Sequence, residues 1–380
     1  MKLRVLYFLN FLSGGISASL LFMLPFIAQD LNFSIGQSGL IKSLFSLSKI
    51  VFIFPVIDFA KKYKNKNLIF LGAFLYISAL ILTAATNQYW QLLLIIGIVG
   101  GIGFTLQSPL AKSELIQQTT NTTRHKVISN FGTFSELGKF IITSFVGYTV
   151  IFIGWRFTAL SFGIIPFVLI GIIFVKSLKI DYIDPVVSTP PLNFRIILTN
   201  RKLFLALCCS LLDSIASSSV IMYLPFLLLG FKYDPVIVVT INTVILLGSI
   251  CGKFVLGRLT VKFKTGYVFA FSEFAMVLVA LGIGFINHVW VSIILSSIFG
   301  IFTKGTGPVN QIMEFNSTKI KSEVTVIGTL DTFIYNIGAM IAAISFGFLG
   351  DAFGMSSVFA GFAVVALFAM IPGLLYERNS

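Results

Sequence analysis

From Val5 to Leu375 the chain is a succession of apolar runs, each ended by a short connector of charged or turn-forming residues. A hydrocarbon core about 30 Å thick accepts roughly 20 apolar residues wound at about 1.5 Å per residue. Runs of that length fall at Val5–Asp30, Ile35–Ala60, Leu68–Thr86, Tyr89–Ser113, Lys126–Ile153 and Trp155–Val175, then at Lys202–Gly230, Pro235–Val261, Tyr267–Ile286, Val289–Gln311, Ser322–Leu349 and Gly354–Leu375. They are continuously apolar instead of alternating over about ten residues, so helices are expected and barrel strands are not. The expected fold class is an all-α integral membrane protein with 12 transmembrane helices.

Composition agrees. Hydrophobic residues make up 57% and charged residues 11% of the chain, and the mean hydropathy is +0.97, far from the balance of a soluble domain. Met1-Lys2-Leu3-Arg4 has a basic start, but the apolar run to Ile27 is too long for a signal-peptide core and lacks a small-residue cleavage site, so it is expected to remain as a span. A net charge of +13 would suggest nucleic acid in a soluble chain; here the cations cluster in short connectors and indicate topology, and no nucleic-acid partner is expected. Cys208, Cys209 and Cys251 lie in apolar runs without metal-ligand spacing and read as packing residues.

The long polar break, Lys176 to Lys202, separates two halves that match at an offset of 200 positions: Leu24-Pro25-Phe26 returns as Leu224-Pro225-Phe226, Asn87 and Trp90 as Asn287 and Trp290, and Gly100 as Gly300. Gly138, Ile141, Gly147 and Gly154 likewise return as Gly338, Ile341, Gly347 and Gly354, after a small indel between Pro109 and Pro308. A tandem duplication accounts for this. The expected organisation is a six-helix bundle over residues 1–178, a cytoplasmic linker over 179–200 and a second, pseudo-symmetric six-helix bundle over 201–380.

Cationic connectors are retained on the cytoplasmic side. Lys61, Lys62, Lys64, Lys66, Lys262 and Lys264 fall on one side, with both termini and the linker, whereas Arg156 and Lys232 fall on the other. A multi-pass protein of the cell inner membrane with both termini cytoplasmic is expected, and the outer-loop sequon Asn32-Phe33-Ser34 leaves a eukaryotic origin open. Pro25 and Pro225 would bend the outer ends of the first and seventh helices.

Local motifs narrow the family. Gly154-Trp155-Arg156-Phe157 opens the sixth helix, and the fifth runs from Arg124 through Gly132 and Gly138 to Gly147. Gly257-Arg258-Leu259-Thr260-Val261-Lys262-Phe263-Lys264 follows the eighth helix in the pattern G-x-L-x-D-[RK], with Val261 in place of the acid. Through these segments the chain resembles the major facilitator superfamily of secondary transporters. In the first-half counterpart the aspartate, Asp58, stands three places early, so the family's charge latch is not carried over to it directly, though Asp58 stays a gating candidate. Ile96 to Gly101 lacks the arginine that many proton-linked drug exporters carry there, and the fifth helix lacks the Gly-Pro pair of antiporters. The resemblance implies that helices 1, 4, 7 and 10 line a cavity and that helices 2 and 11, and 5 and 8, meet between the halves.

An ionisable side chain at the bilayer centre costs roughly 2.5 to 3.5 kcal/mol on insertion scales and is a candidate site by default. The cations are Lys42, Lys49, Lys139, Lys253 and Lys304; the acids are Glu136, Asp213 and Asp331, with Glu273 and Glu314 expected near the cytoplasmic ends as anchors for loop cations. Lys42 and Lys49 are seven apart and share a face with Phe45 and Ser46. Asp331 is expected to pair with Lys42 or Lys49, and Glu136 with Lys253 or, on its own helix, with Lys139. Five lysines against three deep acids imply a positive site for an anionic organic solute. Lys304, beside Gly300, Gly305 and Gly307, is the leading contact, its alternative being a pair with Asp213; Lys49, Lys42, Lys139 and Asp213 are further candidates, and Asn10, Ser13 and Ser17 recur at helical spacing as hydrogen-bonding candidates. Asp213, Glu136 and Asp331 are candidates for carrying a proton, because a dry cavity disfavours the charged carboxylate. His125 and His288 read as ordinary solvated residues.

A proton-coupled transporter of a small organic anion, monomeric and without cofactor or metal, is the expected function. Efflux of drugs or amphipathic metabolites is the alternative, to which the 41 phenylalanines could lend a greasy cavity. An enzyme would need a metal or Ser-His-acid cluster, which the sequence lacks, and a receptor would bring a soluble domain that the short loops do not supply.

Overall fold

A computed structural model describes residues 3–118, 124–178, 200–317 and 323–378. The expected linker, 179–200, falls outside them except for Asn200. The first half holds α1 (Leu3–Leu31), α2 (Ile35–Lys62) and α3 (Asn65–Thr83). Next comes α4, continuous through Tyr89–Leu92, a π-helical stretch Leu93–Gly100 and Gly101–Gln117. One 55-residue helix, Arg124–Leu178, completes this half. At about 1.5 Å per residue it would be about 80 Å long, which no bilayer accommodates. Its continuity ends at Gly154, where φ is 77° and ψ is 164°. Only glycine adopts that geometry without strain, and it divides the run into α5 (124–153) and α6 (155–178).

The second half holds α7 (Arg201–Ser217, resuming as Val220–Gly230), α8 (Pro235–Lys262), α9 (Thr265–Phe285), α10 (Val289–Asn316), α11 (Glu323–Phe353) and α12 (Met355–Arg378). Eleven helices are long and apolar enough to span among the described residues, and the break at Gly154 makes twelve segments of them. Pro25 sits inside an unbroken α1. The break in α7 comes at Ser218 and Ser219, ahead of Pro225, so proline does not set the interruption.

The chain divides into two compact units, Met1–Ser188 and Thr189–Ser380. Within the first, α1 packs on α5, α2 on α4, and α3 on both α4 and α6; within the second, α7 packs on α11, α8 on α10, and α9 on both α10 and α12. The duplication therefore returns as one packing scheme used twice. Backbone details repeat with it. Asn32 and Lys232 both take positive φ, 53° and 61°, and so end α1 and α7. Ser34 then caps α2 through the Gln37 N–H at 3.1 Å, while Asp234 caps α8 through the Val236 N–H at 2.8 Å. Gly354, with φ 82°, separates α11 from α12 as Gly154 separates α5 from α6.

Small residues let these helices touch. A Cβ on Gly138 of α5 would collide with the Phe11 backbone of α1, and one on Gly338 of α11 with Ser214 and the Leu211 carbonyl of α7. Helix association in lipid draws on such packing and on hydrogen bonds, because lipid is as apolar as the side chains.

Candidate functional site: interior charges of the two units

In the first unit the ammonium of Lys49 lies 4.8 Å from the Phe45 ring and 4.9 Å from the Phe104 ring. Both rings pack on Tyr76, with centroids 6.2 Å and 5.8 Å away. Phe45 is one turn from Lys49 on α2, Tyr76 is on α3 and Phe104 on α4, so three helices build an aromatic box around one cation. Among the described residues no carboxylate pairs with Lys49. Lys139 lies within electrostatic reach of it, and Lys139 donates to Glu136 Oε1 at 2.7 Å, the pair within one helix. Lys42 is buried on the same face of α2 as Phe45 and Ser46.

Polar groups of α1 are largely spent on its neighbours. Asn10 Nδ2 donates to the Phe131 carbonyl of α5 at 2.6 Å, and Gln107 Nε2 of α4 donates to the Leu9 carbonyl at 2.8 Å. Ser17 sits beside the Tyr76 hydroxyl, and the buried Ser13 Oγ has no hydrogen-bond partner among the described residues. At the far ends of α1 and α3, Trp155 Nε1 donates to Asp30 at 3.1 Å while Arg156 donates to the carbonyls of Ala84 and Thr86 at 3.1 and 2.6 Å. The Gly-Trp-Arg segment is thus a latch that ties α6 to two helix ends.

The second unit carries the acids. Asp213 Oδ2 accepts from Thr306 Oγ1 at 2.9 Å and from Asn310 Nδ2 at 3.0 Å. Thr306, Asn310 and Glu314 are spaced by four on α10, and Cys209, Asp213 and Ser217 by four on α7, so the two stripes face each other. Lys304 Nζ lies 3.3 Å from the Ser217 carbonyl and 3.5 Å from the Tyr335 hydroxyl, and acts electrostatically on Asp213. Asp331 of α11 accepts from Ser210 of α7 at 2.6 Å. Glu273 of α9 brings its carboxyl against that of Asp213. Lys253 is partly buried on α8, and Asp58, at the end of α2, is exposed.

The family model described as Major Facilitator Superfamily matches residues 6–328. The chain belongs to that superfamily. This major facilitator is a multi-pass membrane transporter and not an enzyme. Two solved structures share its fold at 14% and 15% identity, both of a bacterial homologue of the human lysosomal transporter Spinster. The inward-facing, occupied form gives a TM-score of 0.83 with 100% of this chain and 96% of that chain covered. The inward-facing, unoccupied form gives 0.76 with 99% and 96% covered. No curated protein matches the sequence.

Several site expectations change on this transporter. Glu273 and Glu314, read as loop anchors, are both 0% exposed. Glu114 of α4 is also buried, so among the described residues the five candidate lysines meet six acids, not three, and the surplus of ammonium disappears; Lys66 and Glu377, buried at helix ends, add one charge of each sign. The charge is divided by unit instead: Lys42, Lys49 and Lys139 with Glu114 and Glu136 in the first, Lys253 and Lys304 with Asp213, Glu273, Glu314 and Asp331 in the second. Gly300 and Gly305 approach the α8 backbone at Ile245 and Gly252, which makes them packing contacts for α8. Two signals could have exposed the missed acids. Glu114 and Glu314 stand at the repeat offset of 200, and Thr306, Asn310 and Glu314 form one helical stripe.

Proposed function

We propose that this transporter carries a small organic anion with an apolar body, by alternating access and with proton coupling, and that Lys49 receives the anionic group. The carrying observation is the aromatic box, in which Phe45 and Phe104 hold the Lys49 ammonium without a carboxylate among the described residues. A cation in low dielectric without an anion is costly, and a solute anion supplies the missing charge while its apolar part lies on the rings. Lys42 and Lys139 extend the positive side of this unit, and Ser13 and Ser17 offer hydroxyls. The basic connectors support cytoplasmic termini, and the short loops support an inner membrane. The chain acts as a monomer in this reading.

Uptake into proteoliposomes of labelled organic acids, amino acids, sugars and lipophilic cations, with wild type and Lys49→Gln, tests it. Saturable transport of an organic acid that the variant loses supports the reading. The acids of the second unit favour the other candidate, efflux of amphipathic cations, and transport of the lipophilic cation alone would replace the anion.

A further inference from the structure

Glu273 has no established part in the fold. It sits mid-helix on α9, is fully buried, and among the described residues neither carboxyl oxygen receives a hydrogen bond. Across from it Asp213, 3% exposed, uses Oδ2 for Thr306 and Asn310 but leaves Oδ1 without a donor. Asn310 Oδ1, on the amide whose nitrogen already holds Asp213, is also buried without a donor. Among the described residues no hydrogen bond reaches any of these four buried acceptor oxygens. The wall around them is apolar: Cys209, Phe269, Val309 and Met313 belong to one buried cluster.

We propose that Asp213 and Glu273 form one proton site, sharing a single proton that is the coupling ion of transport. Two carboxyl groups in contact in a dry interior cannot both be ionised, so one carries the proton and donates it to the other. That single hydrogen satisfies an oxygen on each side. Every charged or titratable group facing the pair fits this state. Cys209 on α7, Glu314 on α10, Asp331 on α11 and Tyr376 on α12 are acidic or neutral, and Asp331 is already held by Ser210. Lys304 on α10 is the one cation acting on Asp213 among these groups. It compensates one negative charge, that of the pair with its proton bound. On release the proton passes to water, leaving two carboxylates, and the second charge requires either water entry or a movement of α9 or α10 relative to α7. Proton occupancy is thereby linked to helix position.

The coupling role rests on the transporter reading above; the shared proton does not, and it can be read without a substrate. Infrared spectra of the purified full-length chain in nanodiscs, recorded in sodium-free buffer from mildly acidic to alkaline pH, should show a protonated-carboxyl band that persists at neutral pH and shifts in deuterated water. Asp213→Asn and Glu273→Gln should each remove it. A wild-type protein without that band at neutral pH would overturn the site even if neither variant accumulates, and so would a band unchanged in both variants. Stabilisation by added sodium chloride but not potassium chloride, with loss of the band, would assign the oxygens to sodium and equally overturn it. Failure of Lys49→Gln to alter transport would leave this result standing.

Discussion

The Ser210 hydroxyl donates to the Asp331 carboxylate at 2.6 Å. It does so at the positions that, 200 residues earlier, join Asn10 to the Phe131 carbonyl at 2.6 Å. Both bonds tie the first helix of a unit to its fifth. A second tie repeats the same way: Lys66 donates to the Ser177 carbonyl, and the Gly266 N–H donates to Glu377 at 2.7 Å. The duplication has kept the places of these ties while changing their chemistry, and in the second unit both acceptors are carboxylates.

Ser210→Ala removes a donor from a partly buried carboxylate, so a loss of about 1–3 kcal/mol in stability is expected, read as a lower unfolding temperature in detergent. Asp331→Asn should lose less stability than Ser210→Ala, because Ser210 can still donate to the amide oxygen and no buried charge is left without its donor.

Lys49→Gln should reduce transport at least about tenfold, the equivalent of 1.4 kcal/mol of lost interaction, with normal membrane insertion. Lys49→Arg keeps the charge and the contact with the rings and should keep part of the rate. Phe104→Ala should raise the apparent KM more than it lowers the maximal rate, because the ring holds the apolar body of the solute. Rates unchanged in all three variants would exclude the box.

Lys304 spans Ser217 and Tyr335 and compensates Asp213. Lys304→Gln should abolish transport without loss of expression, and near-normal transport would remove it from the mechanism. An imposed pH gradient should accelerate wild-type transport in proteoliposomes, while Glu273→Gln, whose amide cannot release a proton, should respond little. Wild-type indifference to the gradient would leave a uniporter or a different ion.

Gly154→Ala places a Cβ at φ 77° and ψ 164°, a region almost restricted to glycine, for which about 1–3 kcal/mol is expected. Gly138→Val should be worse, since its side chain meets the Phe11 backbone directly. The unfolding temperatures of the two variants should fall in that order, and a wild-type value for Gly138→Val would show that α1 and α5 can separate without cost.

Twelve spans, the six-plus-six repeat and the family were legible in the chain, because a bilayer demands apolar runs of one length and a duplication leaves matching residues at one offset. Lys42 and Lys49 sharing a face, and Glu136 pairing with Lys139, followed from helical spacing alone. The fate of Glu273 did not. Its distance along the sequence from the basic connector Lys262–Lys264 suggested a loop anchor, but which neighbour a helical residue meets depends on how α9 is rotated against α7 and α10, and that rotation is set by packing with residues far away in sequence. The aromatic box around Lys49 has the same origin: Phe45 is a local neighbour, whereas Tyr76 and Phe104 reach it only because α2, α3 and α4 pack together. Sequence thus determined which groups enter the membrane; tertiary packing alone decided which of them meet a ring, a hydroxyl or another acid, since charge pairing acts over a few ångströms and the chain brings such neighbours together from tens of residues apart.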